Sequence, residues 1–431
     1  MIGAREAAFR SLLKCEQNGS YTNLEIDSKI KKFGLEGVEK SLYTTLVYGV
    51  TERQIALDYR LSRLTRGDWS ALAPEVRTIL RLGGYQILYL DRIPESAAVN
   101  ESTGLARRFA PRGAHNLVNA VLRQLCRSKE DFPLPEDRID ALSVSYSVPR
   151  ALIEIWESSY GREKTAAILE ATFCRPRVTL RVNTLKNTAD ELISKLSERS
   201  VKAEKGRVDG AVVLDASASV ADMLDLLEDG SCFVQDASSQ SAVKMLAPRP
   251  GELIVDTCAC PGGKSFSAAL EMQGRGEIHS FDLHKNKLPL IEKGAKKLGI
   301  EIITVAERDA RHPDESLVGR CDRVICDVPC SGLGVIAKKP EIRYKDLSDI
   351  GRLPEIQYDI LCASAGYLRP GGRILYSTCT INSAENEKIA ERFVGEHPEY
   401  RLVEQRTFFP TPENDGFFAA IIEKNDNRDS E

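Results

Sequence analysis

The residue types best suited to chemistry in this sequence are two cysteines. Cys330 follows a proline in Asp327-Val-Pro-Cys-Ser-Gly-Leu-Gly334, and Cys379 follows a threonine in Tyr376-Ser-Thr-Cys-Thr380. Each motif closes a short apolar run that reads as a buried strand. A thiolate at such a strand end is a nucleophile once its pKa is depressed or a base sits beside it. A pair of thiols suits one reaction in particular. C5 of cytosine is too electron-poor to take a methyl group directly, but addition of a thiolate at C6 makes C5 enamine-like and able to attack an activated methyl. A base then removes the C5 proton and the thiolate is eliminated, a step the second cysteine can assist. Asp327 can donate to or accept from the N3/N4 edge of the ring. Protonating N3 would need a carboxyl of raised proton affinity in a partly buried site.

Two other readings of the cysteines stand beside this one. A cysteine is most often a small buried apolar residue, and that reading is assigned to Cys15, Cys126, Cys174, Cys232, Cys321, Cys326 and Cys362. Metal binding is not expected. One residue separates Cys258 from Cys260 and three separate Cys326 from Cys330, no C-x-x-C pair exists, and the five histidines are scattered.

The elements that must position the thiols follow from periodicity. Apolar runs at 253–255, 278–281, 302–305, 323–326 and 373–376 alternate with helical segments, the last run introduced by the turn signal Arg369-Pro-Gly-Gly372. Such alternation implies a mainly parallel, doubly wound sheet covered by helices, with ligands at the carboxyl ends of its strands. The loop Asp256-Thr-Cys-Ala-Cys-Pro-Gly-Gly-Lys264 lies between the first of these runs and the helical pattern Ser265-Phe-Ser-Ala-Ala-Leu270. That is the layout of a nucleotide-type cofactor loop, although an ordinary strand-to-helix turn has the same outline. Gly262 and Gly263 let backbone approach a ligand, and Pro261 stiffens the turn. Asp282 ends the second strand, where an acid accepts ribose hydroxyls. Asp309 follows the third and is placed to accept from an adenine amino group, and Asp327 ends the fourth.

The 431 residues fit two or three domains. A net charge of −4 points to no nucleic-acid partner by itself, so any such site must be a local basic face. Eleven scattered cysteines and an amphipathic start containing an acid argue for a reducing cytoplasm and against a secretory leader. No run is long enough to span a bilayer. To about Arg138 the pattern is helical, as at Ala4, Ala7, Ala8 and Leu12. Phe132-Pro-Leu-Pro-Glu-Asp-Arg138 reads as a linker, followed by a second helical region through Ile153, Trp156 and Ile168. Around Pro176 the period changes: Arg177-Val-Thr-Leu-Arg-Val182 alternates as a strand, Asn183-Thr184 would cap a helix containing Leu192 and Leu196, and 212–214 and 230–235 read as further strands. Arg177 and Arg181 would share one face of the first strand with Thr179, either toward RNA or simply toward solvent.

Three stretches at the front, Leu46-Val-Tyr-Gly-Val50, Leu80-Arg-Leu-Gly-Gly-Tyr-Gln-Ile-Leu88 and Asn116-Leu-Val-Asn-Ala-Val-Leu122, together resemble the helical NusB-type domain, an RNA-binding module, over most of residues 1–130. Arg5, Arg10, Arg107, Arg108, Arg112 and Arg123 would then form a phosphate-contacting face, or else are solvated helix residues. Further along, Phe233-Val-Gln-Asp-Ala-Ser-Ser-Gln240, the loop 256–264, Asp327-Val-Pro-Cys-Ser-Gly332, Tyr376-Ser-Thr-Cys379 with Glu385-Asn-Glu387, and Asp415-Gly-Phe-Phe418 closely resemble the RNA cytosine-C5 methyltransferase family. The two resemblances joined cover nearly the whole chain and point to the RsmB (Fmu/Sun) family of bacterial 16S rRNA methyltransferases.

The resemblance implies three parts: an all-α NusB-like domain at 1–138, a helical linker with a small α+β RRM-like RNA-binding subdomain at 139–235, and an α/β Rossmann-like catalytic domain at 236–431. It implies Cys379 as nucleophile, Cys330 in adduct release, Asp327 at the base edge, and Lys264 near cofactor or target base. Binding of S-adenosyl-L-methionine carries over to Cys258, Ala259, Cys260, Pro261, Gly262, Gly263 and Lys264 and to Asp282, Asp309 and Asp327. The expected partner is 16S rRNA, with no membrane and no metal, and the expected state a cytoplasmic monomer. The same chemistry on tRNA, or a non-enzymatic antitermination or ribosome-assembly factor, are the alternatives. The chain departs from the family at Cys260 and Ser265, where Ala and Thr are usual, and at Ile336-Ala-Lys-Lys-Pro340, where the family is more basic.

Overall fold

The three-and-four apolar spacing of the first part of the chain produces helices throughout. In the computed structural model these are Ala4–Asn18, Asn23–Phe33, Gly37–Glu52, Gln54–Leu64, Pro74–Tyr89, Glu95–Phe109, Ala114–Arg127, Arg138–Tyr146 and Arg150–Ala171. The structure describes residues 2–18, 23–129, 132–174, 177–218 and 220–426; the change of period expected at Pro176 lies outside them. The chain divides into two compact units, one of Met1–Glu170 with Lys339–Tyr344, the other of Ala171–Lys338 with Lys345–Glu431. The helical unit continues past the Pro-containing stretch at 132–138, which therefore does not end it.

In the helical unit Phe9, Tyr43, Leu46, Leu57, Leu61, Ile79 and Leu122 are buried in one core. Two helices come close because glycine stands at the contact. A Cβ on Gly49 would lie 2.0 Å from Cζ of Tyr85. Arg81, nearly buried, is neutralised by Asp58 at 2.6 Å and Glu16 at 3.0 Å. The distant segment Lys339–Tyr344 completes this unit. Its Arg343 is 1% exposed, and Nη1 donates to the carbonyls of Glu52 and Ser147, each at 3.0 Å. The Tyr344 hydroxyl donates to the carbonyl of Thr51 at 3.0 Å. Of the six arginines expected on an RNA face, Arg10, Arg107, Arg108, Arg112 and Arg123 are exposed, while Arg5 is half-buried and donates to Gln86.

The second unit opens with a small antiparallel sheet of strands β1 (Thr179–Val182), β2 (Ala203–Lys205), β3 (Ala211–Leu214) and β4 (Cys232–Val234), in the order β2-β3-β1-β4. Leu180, Val182, Val212 and Leu214 pack on Leu192 and Leu196 of helix Ala189–Glu198. Two expectations need correction here. The helix is capped by Thr188, not Asn183-Thr184: Thr188 and Glu191 form a reciprocal capping box. Arg181 faces neither RNA nor solvent. It is 3% exposed, pairs with Glu271 at 2.6 Å and donates to the carbonyl of Asp209. Burial of a guanidinium requires such partners, and here they come from a helix and a turn remote in sequence.

The large sheet contains β5 (Leu253–Asp256), β6 (Glu277–Asp282), β7 (Ile303–Glu307), β8 (Cys321–Asp327), β9 (Leu368–Thr378), β10 (Tyr400–Phe408) and β11 (Phe417–Lys424), in the order β10-β11-β9-β8-β5-β6-β7. Strands β5 to β9 are parallel, as the buried runs imply; β11 and β10 join antiparallel to β9 and to each other. Residues 369–372 are not a turn before the last parallel strand. They lie within β9 as an irregularity in its pairing with β8, with Gly371 at φ 73°. Strand order reverses between β5 and β8, which makes their carboxyl ends the natural ligand crevice.

Glycine substitutions provide a paired test of the helical unit. Gly49→Ala forces its methyl into the Tyr85 ring, and overpacking of this kind costs about 1–3 kcal/mol. Gly104, within helix Glu95–Phe109, has open space at its Cβ position, so Gly104→Ala should stabilise by about 0.5–1 kcal/mol. Urea unfolding should show the two midpoints moving in opposite directions.

Candidate active site

The chemistry-bearing residues collect where β5, β6, β8 and β9 end. The β5 loop turns into helix Gly263–Glu271 through Gly262, whose φ of 108° suits only glycine and whose Cβ would lie 2.4 Å from the Phe266 ring. The helix start leaves backbone N–H groups at Gly263, Lys264 and Ser265 without intrahelical acceptors, a setting for an anionic group. Beneath it Asp256 is buried, and its Oδ2 accepts from Ser265 Oγ at 2.6 Å. Burial, which outweighs the serine bond, pushes its carboxyl up to about 7.

Asp282 at the end of β6 accepts from the amides of Cys260 (3.2 Å) and His284 (2.9 Å). A carboxylate has about four lone-pair sites, so capacity remains for two vicinal hydroxyls. These donors and acceptors fit a nucleoside carrying an amino-acid end. Asp309 stands just after the end of β7. Both its oxygens accept from Arg311, Oδ2 from Nη2 at 2.6 Å, and these hydrogen bonds hold its pKa down at about 2. Cys258 and Cys260 are half-buried, and burial raises both thiols, Cys258 well above the usual range.

Asp327 ends β8 with Oδ2 accepting from Lys264 Nζ and Oδ1 from Ser377 Oγ, each at 2.7 Å. Lys264 also lies 4.9 Å from the centre of the Phe417 ring. Cys330 and Cys379 meet beside this pair, Sγ to Sγ 3.3 Å. Their loops are joined by Gly334, whose amide donates to the carbonyl of Cys379 at 3.1 Å and whose Cβ position would fall 2.0 Å from the carbonyl oxygen of Gly416. Only glycine permits three backbones to pack so closely here. Burial and the adjoining Cys379 raise the Cys330 thiol far above its ordinary value, the hydrogen bond to Cys379 being the largest cause.

Several residues that support the thiols were not visible as functional in the sequence. Glu385, fully buried, accepts from Ser331 N (2.8 Å), Ser331 Oγ (2.5 Å), Gln357 Nε2 (2.9 Å) and Asn382 Nδ2 (2.9 Å). Asn386 accepts from Thr378 and donates to the carbonyl of Thr380. Lys338 bridges Asp236 (3.1 Å) and Asp415 (2.7 Å), tying the end of the Cys330 loop to helix Ala237–Leu246 and to the start of β11. Glu385 and Asp415 lie in stretches that the family resemblance singled out, but their burial, which gives them their roles, has no local signal. Of the remaining cysteines, Cys15, Cys232, Cys321 and Cys326 are buried as expected, and Cys126, Cys174 and Cys362 are half-buried. Among the described residues no group of three or more His, Cys, Asp or Glu is arranged to hold a metal, and no helix is long and apolar enough to cross a membrane.

Comparison with known proteins places each part. Residues 243–429 match the model of the 16S rRNA methyltransferase RsmB/F family, residues 3–127 the NusB family, and residues 148–248 the ferredoxin-like domain of RsmF/B-like methyltransferases. The chain is 37% identical over 399 residues to the probable ribosomal RNA small subunit methyltransferase B of Bacillus subtilis, covering 92% of this chain and 89% of that one. It is 35% identical over 407 residues to the protein of the same name from Synechocystis, with 93% and 91% covered. Among solved structures, PH0851 aligns over 98% of this chain and 99% of its own with a TM-score of 0.81 at 27% identity. The fold of NSun6 from Pyrococcus horikoshii, solved with SFG, aligns over 64% of this chain and 98% of that one, at a TM-score of 0.58 and 22% identity.

The Asp236–Lys338–Asp415 cluster carries a pH signature. Burial, followed by the Asp236 charge, raises the Asp415 carboxyl to about 7. Because that value lies above the unfolded one, the folded chain binds this proton more tightly, and the linked stability is present at low pH and lost as pH rises through about 7. The protein should therefore lose stability relative to Asp415→Asn as pH rises from about 4 to about 7. Urea midpoints that run parallel across that interval would contradict this.

Proposed function

The chain belongs to the RsmB/F family of ribosomal RNA small-subunit methyltransferases, and from that premise we propose that it methylates C5 of a cytosine in 16S rRNA through a covalent bond between Cys379 and C6. The observation that carries this reading is the meeting of Cys330 and Cys379 at 3.3 Å beside the Lys264–Asp327 pair. A binding module has no use for two thiols at that separation over a cofactor crevice. The names of the relatives speak for rRNA over tRNA.

The methyl donor is S-adenosyl-L-methionine, which supplies an electrophilic methyl group to the crevice. Asp282 would accept from the ribose hydroxyls, and the backbone N–H groups that open helix Gly263–Glu271 would hold the donor's carboxylate. Cys258, Ala259, Cys260 and Pro261 form the wall of the turn. The cytosine must leave its stack to reach the thiols. Both oxygens of Asp327 already accept from this chain, so its role at the base edge is that of an acceptor for the N4 amino group. Lys264 holds Asp327 in that orientation.

Cys379 adds as a thiolate to C6, and the electrons of the C5=C6 bond move to C5, which takes the methyl group. A base then removes the C5 proton, its electron pair re-forms the double bond, and the C6–Sγ bond breaks with its pair returning to Cys379. Cys330, held as a thiol within hydrogen-bond reach, donates to the departing sulfur. Arg10, Arg107, Arg108, Arg112 and Arg123 offer phosphate contacts on the helical unit, a pattern that holds RNA without reading its sequence.

The test is tritiated methyl transfer to unmodified small-subunit rRNA followed by mapping of the product. Cys379→Ala should abolish transfer, and retention of full activity would sink the covalent route. Cys330→Ala should accumulate a protein–RNA species that survives a denaturing gel; turnover with no such species would remove Cys330 from the release step. Asp282→Ala should weaken donor binding about tenfold to a hundredfold, the scale of losing hydrogen bonds to a charged group, as read by calorimetry.

A further inference from the structure

Resting on the two-thiol reading above, we propose that Glu385 is a positioning residue that sets Cys330 against Cys379 and gives the two thiols different jobs. Its carboxylate is the meeting point of three segments. Ser331, next to Cys330, donates both its amide and its hydroxyl; Gln357 comes from helix Leu347–Ala365; Asn382 belongs to the loop that follows Cys379. Ser331 Oγ also lies 2.7 Å from Thr380 Oγ1, and Thr380 is the residue after Cys379. The spacing of the two sulfurs is therefore set one residue away from each, by a serine–threonine bridge anchored on Glu385.

All four donors to Glu385 are neutral. Both oxygens of Glu385 only accept, which is the pattern of a carboxylate, and little water screens the group. Its charge disfavours a thiolate on Cys330. With Cys330 kept as S–H, Cys379 is the sulfur left to attack, and its thiolate accepts a hydrogen bond from Cys330 both on adding to C6 and on leaving it. A pair without this bias would share one proton between two equivalent sulfurs, and either could attack. The other groups facing Cys330 are Cys379 from the end of β9 and Asp327 from the end of β8, with the Tyr376 ring on β9. Lys345 reaches the same loop from the other side, donating to the carbonyl of Ser331 at 2.7 Å.

The proposal is tested without RNA or methyl donor, so its failure is separable from failure of the methyl-transfer reading. In a Cys379→Ala background, the rate of Cys330 alkylation by iodoacetamide is followed against pH, with the modified residue identified by mass spectrometry. Glu385→Gln preserves the shape and removes the charge, and should lower the midpoint of the Cys330 profile, the direction expected when a like charge is removed. Ser331→Ala keeps the charge and breaks the bridge. It should leave that midpoint in place while reducing dibromobimane bridging of Cys330 to Cys379 several-fold in the otherwise unmodified protein. An unmoved midpoint in folded Glu385→Gln overturns the electrostatic role. Should that variant not fold, bridging as efficient in Ser331→Ala as in the parent overturns the positioning role.

Discussion

A carboxylate buried without a cation must be met by donors on every side, and in this protein that requirement shapes the reactive centre. Glu385 is the clearest instance. Leaving one of its oxygens unmet would cost several kcal/mol, so Ser331, Gln357 and Asn382 must all be in place at once. The loops after β8 and β9 have no strand or α-helix at the thiols to define them. They are defined by converging on this group. Asp256 under the cofactor loop is the contrast: Ser265 meets its Oδ2, its Oδ1 has no partner, and burial raises the carboxyl to about 7. The strands bring the segments near, and the buried acids fix them to within a hydrogen bond.

Close backbone packing completes what the acids begin. Gly334 and Gly416 allow the backbones of the Cys330 loop, of Cys379 and of the start of β11 to touch without intervening side chains. The outcome is a site whose sulfurs are held from behind by backbone and from the side by a hydrogen-bond bridge. A reaction that makes and breaks a carbon–sulfur bond needs this arrangement, since the nucleophile must return to its starting position after each turnover.

Much of this was legible in the residues. The five parallel strands announced themselves as short buried runs, and the acids and thiols at their ends followed from the rule that ligands of such sheets sit at carboxyl ends. Strand β10 was not legible because charged residues at Glu404 and Arg406 break its apolar pattern, as suits an edge strand. The small strand β2 has only three residues. Arg181 looked like a surface residue because its partner Glu271 lies on a helix 90 positions away. Thr188 has a local signal, a threonine three residues before a glutamate, with which the polar pair Asn183-Thr184 competes. The roles of Glu385 and Lys338 depend on burial and on partners remote in sequence, which periodicity does not encode.

The short segment Lys339–Tyr344 has a consequence for the making of the protein. The helical unit is not encoded in one stretch, because Arg343 and Tyr344 fill acceptors at Thr51, Glu52 and Ser147. On the ribosome the chain emerges at about 5–20 residues per second, so this last piece follows Glu170 by roughly ten to thirty seconds. During that interval the first unit waits with those carbonyls unfilled while the second is being synthesised. The order of translation and the order of completion therefore differ, and the first domain to begin folding is finished by a piece that arrives after both the cofactor loop and Cys330.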